Sequence, residues 1–509
     1  MTAALLPILR YDPSETAQSW AARLAAVHAG QPVNHLLKDM GVPASAFMKG
    51  DPEAIQALAV AGGQESEIVS RGAFLLRRRF RVLRGEPMGI GFAAPNVQRF
   101  CPHCLQEDGT TREWRHRILW CFDCIMTCPR HAVALACAPA GASSHDVRDV
   151  VHELGGLDDL AAASREVPVS DHVLWVSRRL QGQGQGDDWL ASQSIAQVID
   201  ASEALGAVLE HGHAVRLGKL SREAREGAIV RGLGVLGEGE DAVMAAFDDI
   251  RAASSANAVQ AGSLAMYGRL FEWLDRRTNH IDPGPIKRLL REHILRHDAI
   301  TPGAMLLGET VQERRLHSLA SLSEVTGIPR RRLTRLLKRL GHVPEGASDR
   351  ELGRLVFPAR SMEQLCDDLT RSVPLEEVPD YIGASIRQTA ALRQAGILTP
   401  VVGSKRPGEV RQIVFAQRVL DDFLEKLAAL PPVPDHDDDG VDIATACQRI
   451  GAFTEDLVAR ILSGSMPARR CSGHGLDKVR VRLPDVRQYR NRAKPSAERV
   501  SSTMFSPPD

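Results

Sequence analysis

Six cysteines crowd into residues 101–137, and that crowding constrains the chain more than any other feature. They are Cys101, Cys104, Cys121, Cys124, Cys128 and Cys137. In a reducing compartment such density points to metal before disulfides. Cys101-Pro102-His103-Cys104 reads as a knuckle: two thiolates separated by two residues bite one tetrahedral ion while backbone N–H groups support the sulfurs. Cys128-Pro129-Arg130-His131 repeats the spacing with a histidine in the last place, completing a Cys3His set. A second set also satisfies metal spacing, because Cys101, Cys104, Cys121 and Cys124 form two Cys-x2-Cys pairs across a 16-residue gap. Six ligands are too few for two separate tetrahedral ions unless His103 or His116 joins them. The expectation is one structural Zn2+, or two with those histidines, closed by four ligands and so a scaffold rather than a catalyst.

At 509 residues the chain is too long for one core, and about 150 residues per domain predicts three or four domains. With 44% hydrophobic and 25% charged residues, most of it folds. Aromatic residues are only 5%, and Ala, Leu, Arg and Glu, which lose little entropy on entering a helix, dominate. The fold class expected is mainly α and multidomain. Lys plus Arg equals Asp plus Glu at 63 each, so any signal for nucleic acid is local. Residues 311–345 hold eight Lys/Arg against three Glu, and residues 466–495 hold nine against two Asp. Apolar stretches fall short of the roughly 18 residues that span a bilayer, and the N-terminus lacks a charged-then-apolar leader. A cytoplasmic protein with no membrane partner is expected.

The domains expected are a helical one over 1–150 with the knuckle inserted at 101–137, a helical middle domain over 151–310, tandem helix-turn-helix modules over 311–430, a third such module with a wing over 440–495, and a disordered tail over 496–509. Residues 1–100 read as helices, with Ser19–Ala25 and Ala54–Val60 amphipathic and the Arg77–Arg81 run a solvated face. Gln181–Gly186 reads as a flexible linker and Pro431–Asp439 as a stiff, charged one. Tyr267, Leu270, Phe271 and Leu274 take the i, i+3, i+4, i+7 spacing of a buried helix face.

A helix-turn-helix unit needs two short helices, a glycine for the turn and apolar residues that lock the pair. Residues 319–340 supply these, with Leu322 and Val325 facing inward from the first helix, Gly327 in the turn, and Ile328, Leu333 and Leu336 anchoring the second. Arg330, Arg331, Arg332, Arg335, Lys338 and Arg339 decorate that second helix where bases and phosphates of double-stranded DNA would lie. A weaker copy runs from Leu375 to Leu398 around Gly383, with Ile386, Leu392 and Ile397 apolar and Pro379 required in a first turn. A third spans Val441 to Leu462 around Gly451, followed by Val479-Arg480-Val481-Arg482-Leu483 as a basic strand or wing. Gly232-Leu233-Gly234-Val235-Leu236-Gly237 carries the glycine pattern of dinucleotide folds but is preceded by a helix-like rather than a strand-like stretch, which argues against nucleotide binding. Gly218-Lys219 lacks the rest of a phosphate loop, so no ATP hydrolysis is expected.

Cys101-Pro102-His103-Cys104-Leu105, Trp114-Arg115, and Cys128-Pro129-Arg130-His131 leading to Val133 and Leu135 resemble the cysteine motif of the TniQ family of bacterial transposition proteins. Ser19-Trp20 with Leu24 is similar to the family's opening Ser-Trp helix, and Tyr267–Leu274 is similar to an aromatic stretch in relatives. The resemblance implies that the metal ligands are Cys101, Cys104, Cys128 and His131, with Cys121 and Cys124 as buried or auxiliary thiols; many relatives carry a second Cys-x2-Cys site shortly after the first, but here only Cys137 remains and its neighbours Ala138, Pro139 and Ala140 offer no ligating side chain, so no second site is expected. It also implies a non-enzymatic target-selection protein of the bacterial cytoplasm that binds double-stranded DNA, recruits an AAA+ ATPase regulator and through it a transposase, with a homodimer compatible with the role. The alternative class is a zinc-containing helix-turn-helix transcription regulator.

Overall fold

Thr16 starts the first helix, its hydroxyl accepting from the Ser19 N–H at 3.1 Å, and Ala17–His28 follows with Trp20, Ala21, Leu24 and Ala25 buried. The computed structural model describes residues 4–141, 143–183, 189–255, 262–276, 281–401, 413–433 and 440–492. Residues 184–186 of the expected first linker, 434–439 of the second and the whole tail from 496 lie outside them. The described residues are mainly helical, and the chain divides into two compact units, residues 1–297 with 301–312 and residues 298–300 with 313–509.

The first unit opens with Ala17–His28, Val33–Asp39, Ala44–Met48, Pro52–Ala61 and Ser66–Ser70, which close around Trp20, Leu37, Phe47, Ile55 and Leu58. Trp20 meets the Tyr11 ring edge-on at 5.7 Å and donates its indole N–H to the Leu9 carbonyl at 3.1 Å, so its polar atom is satisfied inside the core. Helices do not continue to residue 100 as expected. Leu75–Leu76, Phe80–Leu83 and Glu86–Gly89 form a three-stranded antiparallel sheet. Its hairpin turns on Arg84 and Gly85, both left-handed at φ 52° and 84°, a geometry that Asn-Gly usually announces and an arginine conceals. The sheet also divides the Arg77–Arg81 run, because the Arg81 guanidinium turns inward to the carbonyls of Ala93, at 2.7 Å, and Ile90.

Beyond the cysteine segment, Val147–Glu153, Leu157–Ala162, Asp171–Leu180 and Ile195–His211 build one core with it, joining Cys101, Trp120, Phe122 and Ile125 to Val150, Val173, Val176, Ile199 and Ile229. Ser194 and Gln197 cap the Ile195–His211 helix reciprocally. That helix crosses Arg222–Gly237 at backbone distance: a Cβ on Gly206 would fall 1.9 Å from the Ala228 carbonyl oxygen, and one on Gly232 2.0 Å from that of Ser202. The glycine pattern at 232–237 therefore lies inside a helix, where Gly232 serves its packing. Ser263–Asp275 buries Tyr267, Leu270 and Leu274 and half-buries Phe271, but it is not one straight helix, since Gly268 breaks it at φ 55° against the His213 backbone.

The second unit repeats one pattern three times. Strand Leu316–Ser318 leads into helix Leu319–Thr326, left-handed Gly327 and helix Arg330–Arg339; strand Val356–Pro358 then pairs back on the first strand and runs into helix Ala359–Thr370. Ser372–Pro374, Val378–Ile382, left-handed Gly383, Ile386–Gln394, returning strand Val414–Ala416 and Gln417–Ala428 follow the same order. So do Val441–Asp442, Ile443–Ile450, left-handed Gly451, Thr454–Leu462, returning strand Val479–Val481 and Leu483–Arg492, with Arg469–Arg470 added at the other edge of the last strand. Gly341, Gly396 and Gly464, all at positive φ, follow the three second helices. Pro379 sits in the first turn of its helix, where its missing N–H costs nothing.

One inward assignment is corrected, and one apolar residue of the second pair lies at the surface. Val325 is 49% exposed and Ile386 79% exposed. The pairs are locked instead by Leu322, Leu333 and Leu337 in the first repeat, and by Val378, Ile382, Leu392 and Leu398 in the second.

Candidate metal centre

Two short ladders deliver the ligands. Arg99–Phe100 pairs with Ala136–Cys137 and ends at Cys101, where Pro102 at once begins helix Pro102–Asp108, lifting Cys104 onto its first turn. Thr127–Cys128 pairs with Val133–Ala134, and the intervening turn, with Ala132 at φ 51°, swings His131 back over Cys128. Cys101, Cys104 and Cys128 are buried and His131 is half-buried, and one ligand atom from each lies within 4.8 Å of all the others, a group that could hold a metal ion.

The separations match a tetrahedron. With Zn–S near 2.3 Å and Zn–N near 2.0–2.1 Å, its edges are about 3.8 Å between sulfurs and about 3.6 Å between sulfur and nitrogen. The Cys104 and Cys128 sulfurs stand 3.7 Å apart, and His131 Nδ1 stands 3.5, 3.3 and 3.6 Å from the sulfurs of Cys101, Cys104 and Cys128. Hydrogen bonds from Cys101 and then Cys104 hold the Cys128 thiol well below its usual range. With Nδ1 turned inward, His131 Nε2 faces Glu107 at 3.1 Å, the outer carboxylate that fixes the ring of a metal-binding histidine.

Three thiolates and a zinc ion would leave one net negative charge, and a cation stands beside the group. Arg117 pairs with Asp108 at 2.9 Å and lies over the Trp120 ring at 4.9 Å. Neither Glu107 nor Arg117 was picked out from sequence. Glu107 was traceable, being one helical turn beyond Cys104.

Cys121 and Cys124 stand outside this group. Both are buried, and burial pushes the Cys121 thiol up, and that of Cys124 up to about 12, so both are neutral. Cys121 faces His116 Nδ1 and the Arg117 carbonyl, each at 3.9 Å. His116 is committed elsewhere, through Nε2 to the Arg99 carbonyl at 3.1 Å, and His103 packs its ring on that of His131 at 5.5 Å. Cys137 is exposed.

The Ser19-Trp20 pair has a physical role in the same region. Ser19 donates to Glu15 at 2.9 Å and accepts from the His116 N–H at 2.8 Å, and Glu15 takes Arg23 at 2.7 Å. The opening helix is thereby bonded to the cysteine segment. Residues 7–135 match the TniQ family model. These residues are a TniQ domain. The four clustered ligands lie inside it, His131 near its end, and a TniQ domain fits an accessory protein of transposition. The curated proteins contain no match to the chain. No helix among the described residues is long and apolar enough to cross a membrane.

Outside the TniQ domain, Arg330, Arg331, Arg332, Arg335, Lys338 and Arg339 all fall on helix Arg330–Arg339. Leu333 and Leu337 are buried on its inner side, while Arg330, Arg331, Arg332, Arg335 and Arg339 are exposed. Lys338 is half-buried and donates to the Glu345 carbonyl at 2.7 Å, which ties down the loop after the helix. The second helices of the other repeats are not so basic: Ile386–Gln394 carries Arg387 and Arg393, and Thr454–Leu462 opens on Glu455 and Asp456.

Proposed function

We propose that this protein is a non-catalytic target-selection factor of transposition, whose TniQ domain, held by one Zn2+ on Cys101, Cys104, Cys128 and His131, offers the surface that an AAA+ ATPase regulator recognises. Through that ATPase a transposase is engaged. The second unit grips double-stranded target DNA, its three repeats acting as helix-turn-helix modules and the Arg469–Arg470 and Val479–Val481 strands as a wing. The observation that carries the reading is the TniQ match over residues 7–135, taken with a second helix that turns five arginines to solvent. Arg331, Arg332, Arg335 and Arg339 share one helix face, and guanidinium groups so placed suit both phosphate contact and bidentate readout of guanine. Three small modules in series would each add modest affinity, with tethering raising the effective concentration of the next. The acidic start of Thr454–Leu462 assigns most of the grip to the first repeat. The TniQ match also favours transposition over the transcription-regulator alternative.

The test is a DNA titration of the full chain across a range of salt. Each phosphate contact contributes about 0.9 to the log–log slope, so changing Arg331→Gln and Arg335→Gln together flattens it by about 2. An unchanged slope removes this helix from the interface. A purified AAA+ ATPase encoded beside the gene is expected to be retained by the wild type and by this double variant alike.

A further inference from the structure

A second set of metal-binding side chains lies outside the TniQ domain. His293 and His297 are four residues apart on helix Pro285–His297 and so share a face. Asp248, on helix Glu240–Ala253, reaches across to both. The three offer ligand atoms within 4.8 Å of one another. Asp248 Oδ1 stands 2.9 Å from His293 Nε2, a hydrogen-bond distance, and 3.6 Å from His297 Nε2; the edge of about 3.3 Å expected for nitrogen and oxygen ligands on zinc lies between the two. The two imidazoles lie close together, 4.3 Å between centroids and tilted by 33°.

The hydrogen bonds around the rings decide where the lone pairs point. His297 Nδ1 is 3.0 Å from the His293 carbonyl oxygen, which can only accept, so Nδ1 carries a proton and, in the neutral ring, Nε2 presents a lone pair. That lone pair faces a carboxylate oxygen, which is also an acceptor. Two acceptors turned on each other repel unless a metal cation, or a proton on Nε2, lies between them. His293 Nδ1 meets the buried Tyr267 hydroxyl at 2.9 Å, a partner that can donate or accept and so holds the ring in either tautomer. Arg251, whose positive charge acts on His293, donates its guanidinium to the His297 carbonyl at 3.3 Å.

We propose that Asp248, His293 and His297 bind a divalent transition-metal ion, zinc by ligand preference, that pins helix Glu240–Ala253 to helix Pro285–His297. Two neutral imidazoles and one carboxylate leave the ion a net positive charge, and the exposed Asp248 side leaves at least one position for water. The site is therefore weaker than the cysteine group and is the first emptied by a mild chelator. The proposal is independent of the transposition reading.

Zinc analysis of the full chain, equilibrated with zinc and separated from the excess, tests it, with Asp248→Asn and His297→Ala as variants on the rim rather than in the core. The wild type is expected to hold one more ion per chain than either variant, while Cys128→Ser loses a different ion and keeps this one. Cobalt substitution separates the two independently, since only the cysteine group gives a thiolate charge-transfer band and this site adds only weak visible absorption. A wild type holding a single ion that Cys128→Ser abolishes, or variants that keep the wild-type content, overturns the proposal and leaves the cysteine site standing. In that case a proton on His297 is what joins it to Asp248.

Discussion

The Ser19 hydroxyl accepts the backbone N–H of His116 at 2.8 Å, although the two are 97 positions apart in the chain. This bond fixes a loop whose imidazole is fully buried, with Nε2–H donating to the Arg99 carbonyl. Burial pushes His116 down to about 4, against the Arg99 carbonyl, which favours the charged ring. Between about pH 6.5 and about pH 4 the unfolded chain takes up a proton that the folded chain refuses. Stability from this residue is therefore complete above the ordinary histidine value and is lost as pH falls, by about 3 kcal/mol at most. Denaturant unfolding in excess zinc, wild type against His116→Asn, is expected to show a steeper acid loss in the wild type. Equal slopes would mean that the ring already protonates in the native state.

The four-ligand cluster separates cysteines that look alike in sequence. Cys101→Ser or Cys128→Ser is expected to remove the cysteine-bound zinc and cost several kcal/mol, because zinc binding and the folding of this segment are one equilibrium. Cys121→Ser keeps the ion, since its sulfur faces His116 and Arg117 instead. Elemental analysis with thermal unfolding of the three proteins checks this. Zinc lost from Cys121→Ser and kept in Cys128→Ser would restore the ribbon set.

What could be read from sequence follows the reach of the interactions. Thiols at two-residue spacing are a local geometric demand, so the knuckle was visible, whereas Glu107 and Arg117 act only once the chain has folded over them. The 75–89 sheet was hidden because Arg84 takes a left-handed turn position without the residue that usually marks it. In the second unit the turn glycines stood out, but strands of two or three residues are too short to show a period of two. Val325 was misplaced because, on a helix of eight residues, an error of one residue rotates a side chain by about 100° and carries it from the core to solvent.

Gly232 and Gly234 share a helix and a glycine-rich pattern, yet only one is required. A methyl on Gly232 would meet the Ser202 backbone at 2.0 Å, which no side-chain movement relieves, while around Gly234 nothing lies within 4 Å. Gly232→Ala is expected to destabilise the first unit by about 3 kcal/mol, and Gly234→Ala to stabilise it by up to about 1 kcal/mol through lower backbone entropy in the unfolded chain. Denaturant midpoints decide the matter. Similar effects from the two would contradict the close crossing of Ile195–His211 and Arg222–Gly237.

The turn glycines of the second unit are unequal in a similar way. Gly327 and Gly383 both sit in the left-handed region, at φ 67° and 64°, where any other residue pays roughly 1 kcal/mol. Gly327 has open space around it, so Gly327→Ala costs about that much. Gly383 also accepts the Asp477 N–H at 2.9 Å, and a Cβ there would lie 2.6 Å from Asp477 Oδ1 and 3.0 Å from the Gly475 Cα. The second repeat's turn is thus seated directly on the third repeat. Asp477 can swing its half-exposed carboxylate aside, but the Gly475 backbone cannot, so Gly383→Ala is expected to cost about 2–4 kcal/mol and to loosen both repeats together. Hydrogen exchange of the two variants reads this directly: faster exchange in Val479–Val481 for Gly383→Ala and not for Gly327→Ala is the expected pattern, and its absence would mean that the two repeats fold without reference to each other.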